Sequence, residues 1–187
     1  MKESWKPGTM LNPLPAVIVT CGNSLQSNLI TVAWTGTLCT DPAMLYISVR
    51  PERYSYDIIK DNMEFTVNLT TADMARATDL CGVRSGRDCD KWELTGLTPY
   101  PGVRVACPAI EQSPLSIECK VRQIVHLGTH DMFIADVVNV LADSRFIDKE
   151  TGKFDLSKSG MLTYSHGAYY SVGDYIGHFG YSIRKKK

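Results

Sequence analysis

Three short stretches of this chain hold polar side chains where a flat heterocycle and a phosphate could be met. The first runs Ser27-Asn28-Leu29-Ile30-Thr31-Val32-Ala33-Trp34-Thr35-Gly36-Thr37. Hydroxyls, an amide and an indole lie on and just after a β-branched run, so a strand here shows backbone and side-chain donors together. Trp34 can lie against a ring. The same residues also suit an ordinary strand with its threonines toward water. The second stretch, Ser48-Val49-Arg50-Pro51-Glu52-Arg53-Tyr54-Ser55, leads from a strand into a helix. Free N–H groups and the positive end of the helix dipole attract phosphate at such a place. Arginine meets phosphate oxygens in pairs. The competing reading is a set of surface ion pairs with Glu52 and Asp57. The third, Cys81-Gly82-Val83-Arg84-Ser85-Gly86-Arg87-Asp88-Cys89-Asp90-Lys91, is a donor-rich turn. Lys91 can place a point charge on a phosphate or beside a reduced cofactor, unless the segment is only a solvated loop.

Four histidines complete the inventory: His126, His130, His166 and His178. None shows HExxH or another metal spacing, and no two cysteines form CxxC, so no metal site is expected. The neighbouring Asp131 can orient His130 toward a cofactor, or His130 is a structural residue at a strand end. No catalytic acid, base or nucleophile is legible from spacing, because such sets converge only in three dimensions.

The elements that carry these residues are mostly strands. Apolar and β-branched runs predict strands over Ala16–Cys21, Leu29–Trp34, Met44–Val49, Phe65–Leu69, Leu115–Val125 and Met132–Leu141. In the last, Val137, Val138 and Val140 imply either burial on both faces or a bulge. Two short helices are expected: Tyr54–Asn62, capped by Ser55 with Ile58 and Ile59 toward the core, and Ala72–Leu80, capped by Thr70 or Thr71. The stretch from Gly82 to Arg104 reads as loop, and Ser144 to Gly160 as a long polar connection. About six strands with few helices predict a mainly β protein, a closed antiparallel barrel that leaves no exposed sheet edge.

Composition narrows the function. The 187 residues suit one domain, 1–187, with a core of its own. Lys+Arg and Asp+Glu both number 20, so no bulk charge draws the chain to nucleic acid. The excess at Arg184–Lys187 reads as a solvated tail. No apolar run approaches a signal peptide or a membrane span. Cys21, Cys39, Cys81, Cys89, Cys107 and Cys119 are scattered as small buried hydrophobes of a reducing compartment would be. A cytoplasmic location is expected. There is no GxGxxG and no GxxxxGK[ST], so a nicotinamide nucleotide would bind only transiently.

Taken together, these segments resemble the flavin reductase-like, FMN-binding split-barrel family, and most of all its flavoredoxin branch. The carrying residues are Asn28 to Gly36, Ser48 to Ser55, Cys81-Gly82-Val83 with Ser85-Gly86-Arg87-Asp88, and the ending Gly177-His178-Phe179-Gly180. The likeness runs from about Leu14 to Arg184. It implies a split antiparallel barrel and a homodimer with FMN held noncovalently near the subunit interface. It also implies flavin contacts from Asn28, Thr31, Val32, Ala33, Trp34, Ser48, Arg50, Arg53, Ser55 and Lys91, with His130 and Tyr164 as further neighbours. Tyr169, Tyr170 and Tyr175 are alternatives to Tyr164. The implied activity passes electrons from NADH, NADPH or a protein donor through FMN to an acceptor. The alternative is an electron carrier or flavin-binding protein without NAD(P)H turnover.

Overall fold

The computed structural model describes residues 1–183, and the basic tail at 184–187 lies outside them. No regular element precedes β1 (Leu14–Pro15). Then follow β2 (Val17–Gly22), β3 (Ser27–Val32), β4 (Thr35–Cys39), β5 (Met44–Val49), α1 (Tyr54–Asn62) and β6 (Glu64–Leu69). The middle of the chain holds α2 (Ala75–Val83), α3 (Lys91–Thr95), β7 (Pro99–Tyr100) and β8 (Ala109–Ile110). A long hairpin, β9 (Leu115–His126) and β10 (Asp131–Ala142), precedes a small one, β11 (Leu162–Ser165) and β12 (Ala168–Ser171).

Seven strands form one antiparallel sheet in the order β3-β2-β6-β9-β10-β5-β4. Its two edge strands, β3 and β4, are consecutive in the chain, with only Ala33 and Trp34 between them. One bent length of chain therefore joins the two ends of the sheet and closes it into a split barrel. The Ser48 N–H donates to the Trp34 carbonyl at 2.8 Å across this seam. The smaller hairpin lies alongside, in a three-stranded sheet ordered β1-β11-β12. Its two-residue turn, His166-Gly167, takes φ of 48° and 82°, the left-handed pair that matches strand twist.

The period-2 pattern of β2 separates two cores. Val17, Val19 and Cys21 point into the barrel, where Ile30, Ile47, Phe65 and Phe133 meet them and α1 inserts Tyr56 and Ile59. Ile18 points the other way, into a cluster with Leu29, Met74, Ala77 and Cys81 that binds α2 to the outside of the wall. All six residues of β2 are buried as a result.

The outer face of β9 is buried too at its start, although it is polar. Ser116 and Glu118 lie under the 98–113 segment, whose backbone N–H groups need acceptors once covered. Glu118, with no exposed surface, accepts from Val103 N at 2.6 Å, Arg104 N at 2.9 Å and the Asn139 amide at 2.9 Å. Asn68 does the same for Ile110 N at 2.9 Å. Glu118→Gln keeps the volume but turns an N–H against at least one donor. Its expected cost is about 1–3 kcal/mol, read as a lower urea midpoint at unchanged slope.

Several expectations change. Leu29–Trp34 is a strand only to Val32, and β4 follows the bend. The valines of β10 mark a bulge, seen as a register shift between Val137 and Asn139. Ser55 does not cap α1: Arg53 holds the N-cap position with no side-chain cap bond, and Ser55 is a buried first-turn residue. Neither Thr70 nor Thr71 caps α2. Thr71 precedes a single 3₁₀ turn over Ala72–Met74 without a cap bond, and Thr70 donates instead to the Ala16 carbonyl at 2.5 Å. The helix then begins at Ala75 and runs through Gly82. The stretch read as loop contains α3, capped by Asp90, which accepts from Trp92 N at 2.8 Å. Cys39 and Cys89 are only half-buried, unlike the other four cysteines.

Candidate functional site

The barrel seam opens onto a cavity of about 340 Å³. Thr31, Val32, Ala33 and Trp34 supply one wall, and Ser48, Val49, Arg50 and Arg53 a second. His130 arrives because the β5–β10 register sets Asp131 opposite Val49. Asp131 itself is buried and anchors this strand end, accepting from the Tyr56 hydroxyl at 2.5 Å and His126 Nδ1 at 2.9 Å. The Tyr56 bond holds the Asp131 carboxyl below its usual range. Tyr164 and Tyr169 close the far side as opposed residues of β11 and β12, edge to face at 5.8 Å.

The ring-lined part is ordered by stacking. The Trp34 and His130 rings are nearly parallel, 16° apart with centroids 5.9 Å apart. Burial, then the positive Arg50, push the His130 pKa below its usual value, with Glu52 opposing. His130 is therefore uncharged at neutral pH. Its Nδ1 shares a hydrogen bond with Thr129 Oγ1 at 3.0 Å, which leaves Nε2 for a ligand. Thr31 donates to the Thr78 carbonyl, tying the seam strand to α2.

A second cavity of about 300 Å³ adjoins the first and shares Ile30, Arg50 and Arg53 with it. Its walls are Asn28, Tyr54, Ser55, Lys91 and the turn Arg84-Ser85-Gly86-Arg87. The start of α1 faces it. Asn28 Nδ2 donates to Ser55 Oγ at 2.7 Å, so the serine proton remains for another acceptor. Arg50 is drawn toward Glu52 at 3.3 Å. Among the described residues, no carboxylate lies within ion-pair distance of Arg53 or Arg87. Arg53 Nη1 reaches the Gly82 carbonyl at 3.5 Å, and Arg87 Nη1 donates to the Glu52 carbonyl at 3.1 Å.

Lys91, expected to place a point charge on a phosphate or beside a reduced cofactor, lines the second cavity. It is buried, and Nζ donates to Leu29 O at 2.7 Å and Cys81 O at 2.9 Å. One carbonyl lies on an edge strand, the other in the last turn of α2, where carbonyls lack helical partners. Desolvation lowers the Lys91 pKa.

All twelve residues picked from the sequence line one or other cavity. Tyr169, Tyr54 and Arg87 join them and were not among the twelve, although Tyr169 stood as an alternative to Tyr164. Gly86 also matters. A Cβ there would sit 2.3 Å from Asn28 Oδ1 and 2.7 Å from the Tyr54 ring. Gly86→Ala therefore has to push Asn28 off Ser55. The expected loss is about 1–3 kcal/mol of stability from overpacking, measured by chemical unfolding.

An aromatic, largely uncharged cavity that runs into a cationic one beside a helix start fits a molecule with a planar ring at one end and a phosphate at the other. The chain is similar to known proteins over most of its length. The family model described as the flavin reductase like domain matches residues 10–173. The flavoredoxin of Desulfovibrio vulgaris (Miyazaki F) superposes with a TM-score of 0.90 at 27% identity, over 98% of this chain and 100% of that one. Flavoredoxin from Methanosarcina acetivorans gives 0.85 at 25% identity, over 98% and 100%. The FMN reductase (NADH) RutF of Enterobacter cloacae is 24% identical over 104 residues, 54% of this chain and 58% of that protein.

Proposed function

Because the chain belongs to the flavin reductase-like family, we propose that it binds FMN across the two cavities and works as an FMN-dependent oxidoreductase. One observation carries this reading: Arg50 and Arg53 line both cavities, so a ring in one and a phosphate in the other belong to a single ligand. The phosphate half is held by Arg53, Arg87, Ser55 and the first N–H groups of α1. The ring half is held by Thr31 to Trp34, with Ser48, His130 and Tyr164 around it.

When bound, FMN supplies the electron chemistry, taking a hydride or single electrons and giving them up again. The chain's part is to orient and to tune. Trp34 and Tyr164 shield the ring from water. The neutral His130 offers a hydrogen bond without adding a charge beside Arg50. The arginines oppose negative charge that builds up on reduction. Lys91 acts through β3: its two bonds tie the Leu29 carbonyl to the Cys81 carbonyl of α2, and so hold the strand that carries Thr31. It is a positioning residue.

The donor is NADH, NADPH or a protein, and the unit that works is one domain over 1–187 in the cytoplasm. A homodimer is favoured by the apolar side chains that both chain ends leave exposed, among them Trp5 at 75%, Tyr175 at 76% and Ile176 at 87%. Among the described residues, no helix is long and apolar enough to cross a membrane.

The test is the visible spectrum of protein loaded with FMN and freed of excess, followed by anaerobic NADH or NADPH. A retained flavin band that bleaches supports a nicotinamide-linked reductase. A band that bleaches only with a ferredoxin-like donor assigns the electron-carrier role. Failure to retain or turn over flavin sinks the reading.

A further inference from the structure

Beyond the flavin cavity lies another, of about 520 Å³, which shares only Trp34 and Tyr164 with it. We infer that this is a binding site for an uncharged planar compound of the quinone or nitroarene class, held on the far side of Trp34 and Tyr164 from the flavin ring. The inference rests on the flavin reading for the position of that ring. Its walls stand on their own.

One wall is aromatic: Trp34, Tyr46 and Tyr164. The other is the segment before β1, with Met10 and Leu11, continued by Leu14 of β1. The two walls are fixed to each other. Leu14 pairs with Tyr164 between β1 and β11, and Thr163 Oγ1 donates to the Leu14 carbonyl at 2.8 Å. The Tyr46 ring lies against Gly36, where a Cβ would come within 3.1 Å of its Cε1. Gly36 thus lets the ring lie down and form the floor.

No Lys, Arg, Asp or Glu lines this cavity. A ligand carrying phosphates or carboxylates would give up its hydration there without a counter-charge in return. The pyrophosphate of a nicotinamide dinucleotide is therefore a poor occupant. A flat neutral molecule loses little and gains stacking on three rings. Met10 adapts its thioether to varied ring substituents. The hydroxyl of Tyr46 and the side chains of Asn12 and His166 offer hydrogen bonds to a quinone carbonyl or a nitro oxygen. Trp34 keeps 41% of its surface exposed although it belongs to both cavities, the exposure expected of a partition with ligand on either side.

Calorimetric titration of tetramethyl-1,4-benzoquinone and of 4-nitrobenzyl alcohol tests this on the full chain, with and without FMN. Neither probe alkylates the free cysteines. The expected result is saturable binding that Met10→Trp and Tyr46→Leu each weaken about tenfold, or 1.4 kcal/mol, while retained FMN and the melting curve stay as in wild type. Met10 is 54% exposed, so its replacement fills the cavity without touching the core. Binding unchanged in both variants, or no binding by the FMN-loaded protein, overturns the inference. So does displacement of the probes by NADH whose own binding Met10→Trp weakens equally. A chain that retains no FMN yet binds the probes in a Met10-sensitive way refutes the flavin reading and leaves this site standing.

Discussion

Arg53→Ala is expected to lower FMN affinity by about 10- to 100-fold, and by more than Arg50→Ala does. Arg53 lines both cavities, and among the described residues it has no carboxylate partner. Arg50 divides its charge with Glu52 at 3.3 Å. A hydrogen bond to a charged group contributes about 1.5–3 kcal/mol, which is the predicted range of affinity. Arg53→Lys should recover only part of the loss, since an ammonium cannot make the paired contact of a guanidinium. Equilibrium dialysis of FMN against the three variants measures all of this. Arg50→Ala as the most damaging change would move the phosphate to the other end of the Ser48 to Ser55 segment.

The second large effect is on stability. Lys91→Met removes the cation that joins Leu29 O and Cys81 O while keeping most of the side-chain volume. Two buried carbonyls lose a donor each, and the C-terminal turn of α2 loses a favourable charge. The expected cost is roughly 3 kcal/mol, or on the order of 10 °C in melting temperature for a chain of this size. FMN affinity should fall as well, by a smaller factor, because Thr31 and Asn28 flank the carbonyl that Lys91 holds. A Lys91→Met protein that melts with wild type but loses FMN would show that the ammonium meets the ligand directly.

The sequence discloses elements whose signal is local. β2, β3, β5, β6, β9 and β10 all carry β-branched or alternating runs and lie where those runs fall. β4, Thr35-Gly36-Thr37-Leu38-Cys39, has no such run, and pairing to β5 alone makes it a strand. α3 has five residues, too few for a helical period, yet Asp90-Lys91-Trp92-Glu93 has the spacing of a capping box and could have revealed it. The cap assigned to Ser55 failed because α1 already starts at Tyr54, after Arg53; the Ser55 hydroxyl instead accepts from Asn28, 27 positions away. The site divides the same way. The strand and strand-to-helix segments announce themselves by residue type. Tyr169 depends on the register of a hairpin, and Gly86 on the approach of two distant side chains. No local pattern records either.

The closure of the barrel through Ala33 and Trp34 constrains how proteins of this fold diverge in length. Residues 27–39 make both end strands of one sheet, so a single insertion between Val32 and Thr35 turns every β4 side chain to the opposite face. It also carries Trp34 away from His130. Insertions and deletions are therefore confined to places that no strand register reads, such as the 127–130 turn and the exposed connection at 144–160, where added residues cost little. A relative with a gap inside 27–39 has either closed its barrel by another route or given up the ring site.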